Sequence, residues 1–314
     1  LTERAYDPEL APVVPMLPVE SDWSDMQAVR AAMDEMIASL GATLPEDVRF
    51  EDRSIAGPED APELAVRIYT PQEPEAPRPG VLYLHGGGFC FGSLDTEHAG
   101  AALAAHAAGA VVVSVDYRLA PEHPFPAGLE DCYAALGWMA GEASSLGVDP
   151  QRIAVMGSSA GGGLAAATAL LARDRRGPQL CYQVLGIPEL DDRLETASMR
   201  AFTDTPLWNR PNAVMSWRLY LGEDPGEVSA YAAPARAKDL GGLPAAYVST
   251  MEFDPLRDEG IHYAQRLLEH GVSVELHHYP GTFHGSAMVG NAAVSRRSSQ
   301  EMFAALRRGI GQPA

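Results

Sequence analysis

The chain has 314 residues, 46% of them hydrophobic, and a formal net charge of −19, so it can bury one large core and is repelled by polyanions. No basic patch with interleaved aromatics occurs, which sets nucleic acid and anionic membrane surfaces aside as partners. Three widely spaced cysteines, Cys90, Cys132 and Cys181, give no metal-ligand spacing and fit core thiols in a reducing compartment.

Residues 1–20 are proline-bearing and acidic, and nowhere does an apolar run reach about 18 residues, so a soluble, cytoplasmic protein is expected. From Ser24 onward, Met26, Val29, Met33, Met36, Ile37 and Leu40 recur at helical spacing and make one apolar face that something must cover. Residues 81–84 form an apolar strand-like run leading directly into His85-Gly86-Gly87-Gly88. Glycines there let the backbone approach a substrate carbonyl without a Cβ in the way, and amide donors fixed beforehand stabilise an oxyanion. Cys90 follows closely and fits either packing or a thiol-reagent-sensitive position. Residues 116–127 combine an arginine, two carboxylates and several prolines, a composition suited to a fixed loop.

Residues 153–156 are a short apolar run suited to a buried strand, and residues 164–171 are alanine-rich and helix-favouring. Gly157-Ser158-Ser159-Ala160-Gly161 falls between them, which places Ser159 on a sharp strand-to-helix turn. The glycine-serine-glycine motif alone is weak, and an idle hydroxyl on a glycine-rich turn is the plain alternative. Its position supplies the specificity, because a strained serine needs small neighbours two residues away on each side.

A serine hydroxyl is a poor nucleophile at neutral pH and needs a base and a group that orients the base. Residues 245–250 read as a strand, 257–269 as a helix and 272–279 as the next strand. A right-handed crossover then brings the loops after both strands to one edge of the sheet. Asp254 lies in the first of these loops. His284 lies in the second, within Pro280-Gly281-Thr282-Phe283-His284-Gly285, where turn formers close the strand. His277 and His278 are ordinary polar positions of an alternating strand. Asp258 and Glu259 compete with Asp254 but belong to the first helical turn, where carboxylates complement the dipole.

With these motifs in place the chain resembles the hormone-sensitive-lipase-like esterases, through His85-Gly86-Gly87-Gly88, Gly157-Ser158-Ser159-Ala160-Gly161-Gly162, Asp254-Pro255-Leu256-Arg257-Asp258 and the stretch 116–127. Residues 187–196 and 280–286 are similar, more narrowly, to bacterial acetyl esterases of the heroin esterase type. The resemblance implies an α/β-hydrolase fold, with a mostly parallel central sheet flanked by helices and a helical cap. In that layout residues 46–188 and 237–314 form the catalytic core, and residues 1–45 and 189–236 form the cap. It also implies Ser159 as nucleophile, His284 as base and Asp254 as its orienter, with the amides of Gly87, Gly88 and Ala160 as the oxyanion hole. Spacing leaves Gly86 and Gly88 as alternatives, and His85 orders the loop. Ser158 stands where many relatives have an acidic residue, and Ser286 where a phenylalanine is frequent, so the shape of the acyl pocket does not carry over.

The expected reaction is acyl transfer from short-chain esters, acetyl to about hexanoyl, with no metal or organic cofactor. Activity should rise with pH as the imidazole loses its proton. Met199, Phe202, Trp208, Met215 and Trp217 give the insertion enough apolar surface for a substrate tunnel, although plain packing also explains methionines. An amidase or peptidase with the same triad, and a noncatalytic receptor on the same scaffold, are the alternatives. A dinucleotide-binding oxidoreductase is disfavoured, since no glycine-x-glycine-x-x-glycine follows a strand in the right setting. The resemblance allows a homodimer paired through the last strand and C-terminal helix, a region that has no interface signal of its own.

Overall fold

A computed structural model describes residues 4–19, 22–39, 41, 43–72 and 77–311. In chain order the elements are α1 (Met26–Ser39), β1 (Val48–Ile55), β2 (Leu64–Pro71), β3 (Arg78–Leu84), α2 (His98–Ala108), β4 (Val111–Val115), α3 (Ala127–Gly141), α4 (Ala143–Leu146) and β5 (Val148–Ser158). There follow α5 (Ala160–Asp174), β6 (Tyr182–Gly186), α6 (Ala197–Ala201), α7 (Arg210–Leu221), β7 (Ala245–Phe253), α8 (Arg257–Glu269), β8 (Val274–Phe283) and α9 (Ala293–Gly309). The eight strands make one sheet in the order β1-β2-β4-β3-β5-β6-β7-β8. β1 and β2 pair antiparallel, as do β2 and β4, and every later pairing is parallel. This is the α/β-hydrolase architecture that the motifs imply.

The inner strands are apolar on both sides because helices cover both faces. Alternation along β3 sends Leu82 and Leu84 to one face, with Val113, Val155, Leu136 and Leu164, under α3, α5 and α8. Val81 and Tyr83 go to the other, with Val112, Met156 and Leu306, under α2 and α9. Each fully buried aliphatic side chain contributes about 1.5–3 kcal/mol of transfer free energy, so these two layers dominate stability. The antiparallel edge is different. β1 is exposed along most of its length and laced with Arg49, Glu51, Asp52 and Arg53, charges that discourage pairing with another sheet.

α8 occupies the expected range, whereas β8 overruns the expected end at Tyr279 and reaches Phe283. Pro280 and Gly281 do not stop the strand because the register shifts there, opposite Met251 and Phe253. Gly281 takes φ +73°, its N–H donates to Glu252 Oε2 and its carbonyl accepts from Asp7 N–H. A local irregularity thus absorbs the turn formers and carries the strand to the residue before His284.

α1 is amphipathic as expected, but no residue on it is fully buried. Met26, Val29 and Met33 pack with Trp23 on a cluster of Cys90, Phe91, Met199, Trp208 and Leu256. Leu40 lies outside the described residues. The N-terminal segment and the insertion are tied together: Trp23 Nε1 donates to Asn212, Asn209 Nδ2 to the Val19 carbonyl and Leu207 N–H to the Pro18 carbonyl. These two distant stretches are therefore held together, and Trp208 packs them against Cys90 and Phe91, just beyond β3. Among the described residues no helix is long and apolar enough to cross a membrane.

Candidate active site

β5 delivers Ser158 as its last residue, and α5 opens at Ala160, so Ser159 stands alone on the turn with φ 58° and ψ −126°. That left-handed conformation strains any residue with a Cβ, and the backbone around it holds the strain. Ser159 N–H donates to the Gly186 carbonyl at 2.8 Å, and its own carbonyl accepts from Gly163 and Glu189 N–H at 3.0 Å each. The small neighbours are required by space. A Cβ on Gly157 would stand 2.2 Å from the Gly161 carbonyl oxygen, and one on Gly161 would stand 2.1 Å from the Leu84 carbonyl oxygen. Gly161→Ala is expected to cost about 3 kcal/mol or more, since the rigid backbone of Leu84 and His85 at the end of β3 would have to move. Denaturant titration of the variant measures this, and a wild-type midpoint would refute the close approach.

The three expected catalytic side chains meet. His284, which follows β8 directly, has Nε2 at 2.9 Å from Ser159 Oγ and Nδ1 at 2.8 Å from Asp254 Oδ2. Asp254, in the loop after β7, is fully buried, and its other oxygen accepts from Leu256 N–H at 2.8 Å. Ser159 and His284 are also buried, at 8% and 7% exposure. The tautomer that this chain selects has the proton on Nδ1, facing the carboxylate, and a lone pair on Nε2, facing the hydroxyl.

The rival residues sit elsewhere, and for reasons the sequence does not display. Asp258 Oδ2 accepts from Ser198 N–H at 2.7 Å, and Glu259 Oε1 accepts from Leu190 and Asp191 N–H at 2.6 and 3.2 Å. Both residues stand in the first turn of α8, as expected, and from there also hold the backbone of the insertion. His277 lies between Glu275 and Glu301, and His278 bonds Thr250 Oγ1.

The glycine loop is fixed from three sides. His85 Nδ1 donates to the Gly86 carbonyl at 2.8 Å, and its ring stacks on Tyr117 at 4.0 Å. Burial pushes this imidazole down to about 4, so it is a neutral strut near pH 7. Tyr117 Oη donates in turn to the His85 carbonyl at 2.8 Å. Glu97, held by Tyr83 Oη at 2.7 Å, lies beside Gly86. Gly87 and Gly88 take φ +120° and +53°, and Ala160 N–H belongs to the first turn of α5, whose amides have no partner within the helix.

The loop 116–127 is fixed as composition suggests, but with partners from outside it. Arg118 forms a fork with Asp131 on α3, and Glu122 pairs with Arg30 on α1, whose guanidinium also donates to the Cys90 and Ala120 carbonyls. Cys90 itself is fully buried and burial pushes its thiol up, so packing describes it better than reactivity. Of the apolar residues noted in the insertion, Trp208 lies against the site, with its ring 5.7 Å from that of His284. The edge of that indole would be 2.6 Å from a Cβ placed on Gly88. Trp217 instead stacks into the main core beside Phe89, Met199 is buried under α1, and Phe202 lies under the guanidinium groups of Arg4 and Arg257. Glu189, which the sequence assigns to the start of the insertion, is fully buried on the wall of the elbow. Hydropathy gives no signal for a buried acid there.

Among the described residues no group of three histidine, cysteine, aspartate or glutamate side chains is arranged to hold a metal ion.

Residues 81–288 match the family described as alpha/beta hydrolase fold. The carboxylesterase NlhH of Mycobacterium tuberculosis is 42% identical over 291 residues, covering 88% of this chain and 89% of the relative. The arylesterase of Saccharolobus solfataricus is 36% identical over 272 residues, covering 86% and 87%. Among solved structures, a bacterial heroin esterase superposes with a TM-score of 0.94 at 52% identity, over 98% of each chain.

Proposed function

Because this chain belongs to the alpha/beta hydrolase family and is a carboxylic ester hydrolase of the serine type, we propose that Ser159, His284 and Asp254 carry its reaction on short-acyl esters of small alcohols or phenols. The unbroken line of hydrogen bonds from Asp254 through His284 to Ser159, at 2.8 and 2.9 Å, is the observation that supports the assignment. Ser159 Oγ attacks the ester carbonyl while Nε2 takes its proton. The imidazolium then gives that proton to the departing alkoxide, and water repeats the sequence on the acyl-enzyme.

Gly87, Gly88 and Ala160 supply the amides that receive the oxyanion. Preset donors of this kind lower the barrier by about 3–4 kcal/mol each, because they need no reorganisation as charge develops.

Trp208 supports the short-acyl preference. An indole packed over Gly88 and beside His284 leaves little room next to the reacting carbonyl. In a series of chromogenic esters, kcat/KM is expected to fall about tenfold or more between butanoate and decanoate. A flat or rising series would remove the short-acyl reading, and turnover of a matched anilide at a comparable rate would favour the amidase alternative.

A further inference from the structure

Glu189 is fully buried between the elbow and α7. Its N–H donates to the Ser159 carbonyl at 3.0 Å, so its backbone is part of the elbow's support. Its side chain points the other way. Oε1 is 3.1 Å from Ser216 Oγ on α7, Ser216 Oγ donates to the Gly88 carbonyl at 2.9 Å, and Glu189 Oε2 has no partner. Ser216 has one proton. Committed to Gly88, its hydroxyl can only accept from Glu189, and an acceptor-only carboxylate cannot donate.

We propose that Glu189 is a protonated, neutral positioning residue that donates to Ser216 and through it anchors the oxyanion loop at Gly88. The idea rests on the acyl-transfer assignment above and adds a residue to it that never touches substrate. Its surroundings favour the neutral form. The titratable groups whose charges act on Glu189 are Asp254 behind the histidine, Glu259 on α8, Cys90 beyond the glycine loop and Tyr220 on α7. All four are acids, so none offers a compensating cation. Burial, with Asp254 adding to it, pushes the Glu189 carboxyl up to about 8. The unpartnered Oε2 fits as well, since a neutral acid's carbonyl costs less to leave unpaired than a carboxylate oxygen.

Ionisation reverses the link. A charged Glu189 accepts the Ser216 O–H hydrogen bond, the Gly88 carbonyl loses its donor, and a negative charge appears on the oxyanion side of the site. Activity therefore falls as pH rises through about 8, opposite in sign to the rise caused by deprotonating the base.

The test is the pH profile of kcat and KM for wild type, Glu189→Gln and Ser216→Ala on an acetyl ester. Wild type should show an alkaline decline near pH 8. Glu189→Gln should lose that decline, because its amide donates to Ser216 at every pH. Ser216→Ala should lower kcat about tenfold at neutral pH with KM within about twofold, the split expected of a loop that matters in the transition state. An alkaline decline shared by Glu189→Gln, or a wild-type kcat in Ser216→Ala, overturns the proposal while leaving the triad untouched; failure of the triad assignment would show instead in Ser159→Ala. If Glu189→Gln does not fold, infrared titration of the wild type decides. A protonated-carboxyl C=O band that vanishes across pH 8 and is displaced in Ser216→Ala is expected, and absence of that band overturns the idea.

Discussion

Ser159→Ala is expected to give a folded protein whose kcat on an acetyl ester is at least about 10⁴-fold below wild type. The elbow tolerates the change because alanine keeps the Cβ, so the cost of φ 58° is the same for both residues. The backbone bonds to Gly186, Gly163 and Glu189 remain. What disappears is the Oγ and its bond to His284 Nε2, which leaves one buried ring nitrogen without a partner and costs about 1 kcal/mol of stability. The amides of Gly87, Gly88 and Ala160 and the packing of Trp208 against them are untouched, so substrate should still bind and KM should move little. Labelling with an organophosphate adds a second check, since its mass should appear on Ser159 in the wild type and nowhere in the variant. Undiminished hydrolysis by the alanine variant would reject the nucleophile outright.

How much of this was legible in the sequence depended on whether the information was local. The elbow was legible because its constraints are: a positive-φ serine needs glycine at 157 and 161, and the clashes at 2.2 and 2.1 Å have their counterpart in the motif itself. The convergence of Asp254 and His284 was legible because the handedness of one crossover fixes which loops share an edge. The range of α8, between two strand-like runs, was also legible. The continuation of β8 through Pro280 and Gly281 did not, because it depends on a register shift against β7 and on Glu252 and Asp7 reaching the strand from elsewhere.

The supporting residues were hidden for the same reason. Glu97, Asp131 and Glu189 are acidic residues, which composition assigns to the surface, and nothing near them in the chain announces Tyr83, Arg118 or Ser216 as partners. Hydrophobic periodicity located α1, but not the fact that only its first two turns find a dense apolar partner around Trp208 and Phe91. Long-range polar pairing leaves no period in a sequence. It has to be read from coordinates.

Asp254→Asn should lower kcat by about 10⁴-fold, and Asp258→Asn by far less, although the two residues lie only four positions apart in the chain. Asp254 accepts the Nδ1 proton of His284 at 2.8 Å. An asparagine there can turn its NH₂ toward the ring, which makes Nδ1 the acceptor and moves the proton to Nε2. That tautomer donates to Ser159 and can no longer take its proton. The asparagine also removes the charge that offsets the imidazolium formed in the transition state, at a fully buried position where solvent cannot replace it. Asp258 has no such link. It holds Ser198 N–H at 2.7 Å and Arg257 Nε at 2.8 Å, so its loss should cost about 1–3 kcal/mol of stability and leave the pH dependence of kcat in place. Measuring kcat and the denaturation midpoint for both variants separates the roles: the kinetic loss belongs at 254 and the stability loss at 258. The reverse pattern would transfer the acid to Asp258 and require the histidine to turn toward it.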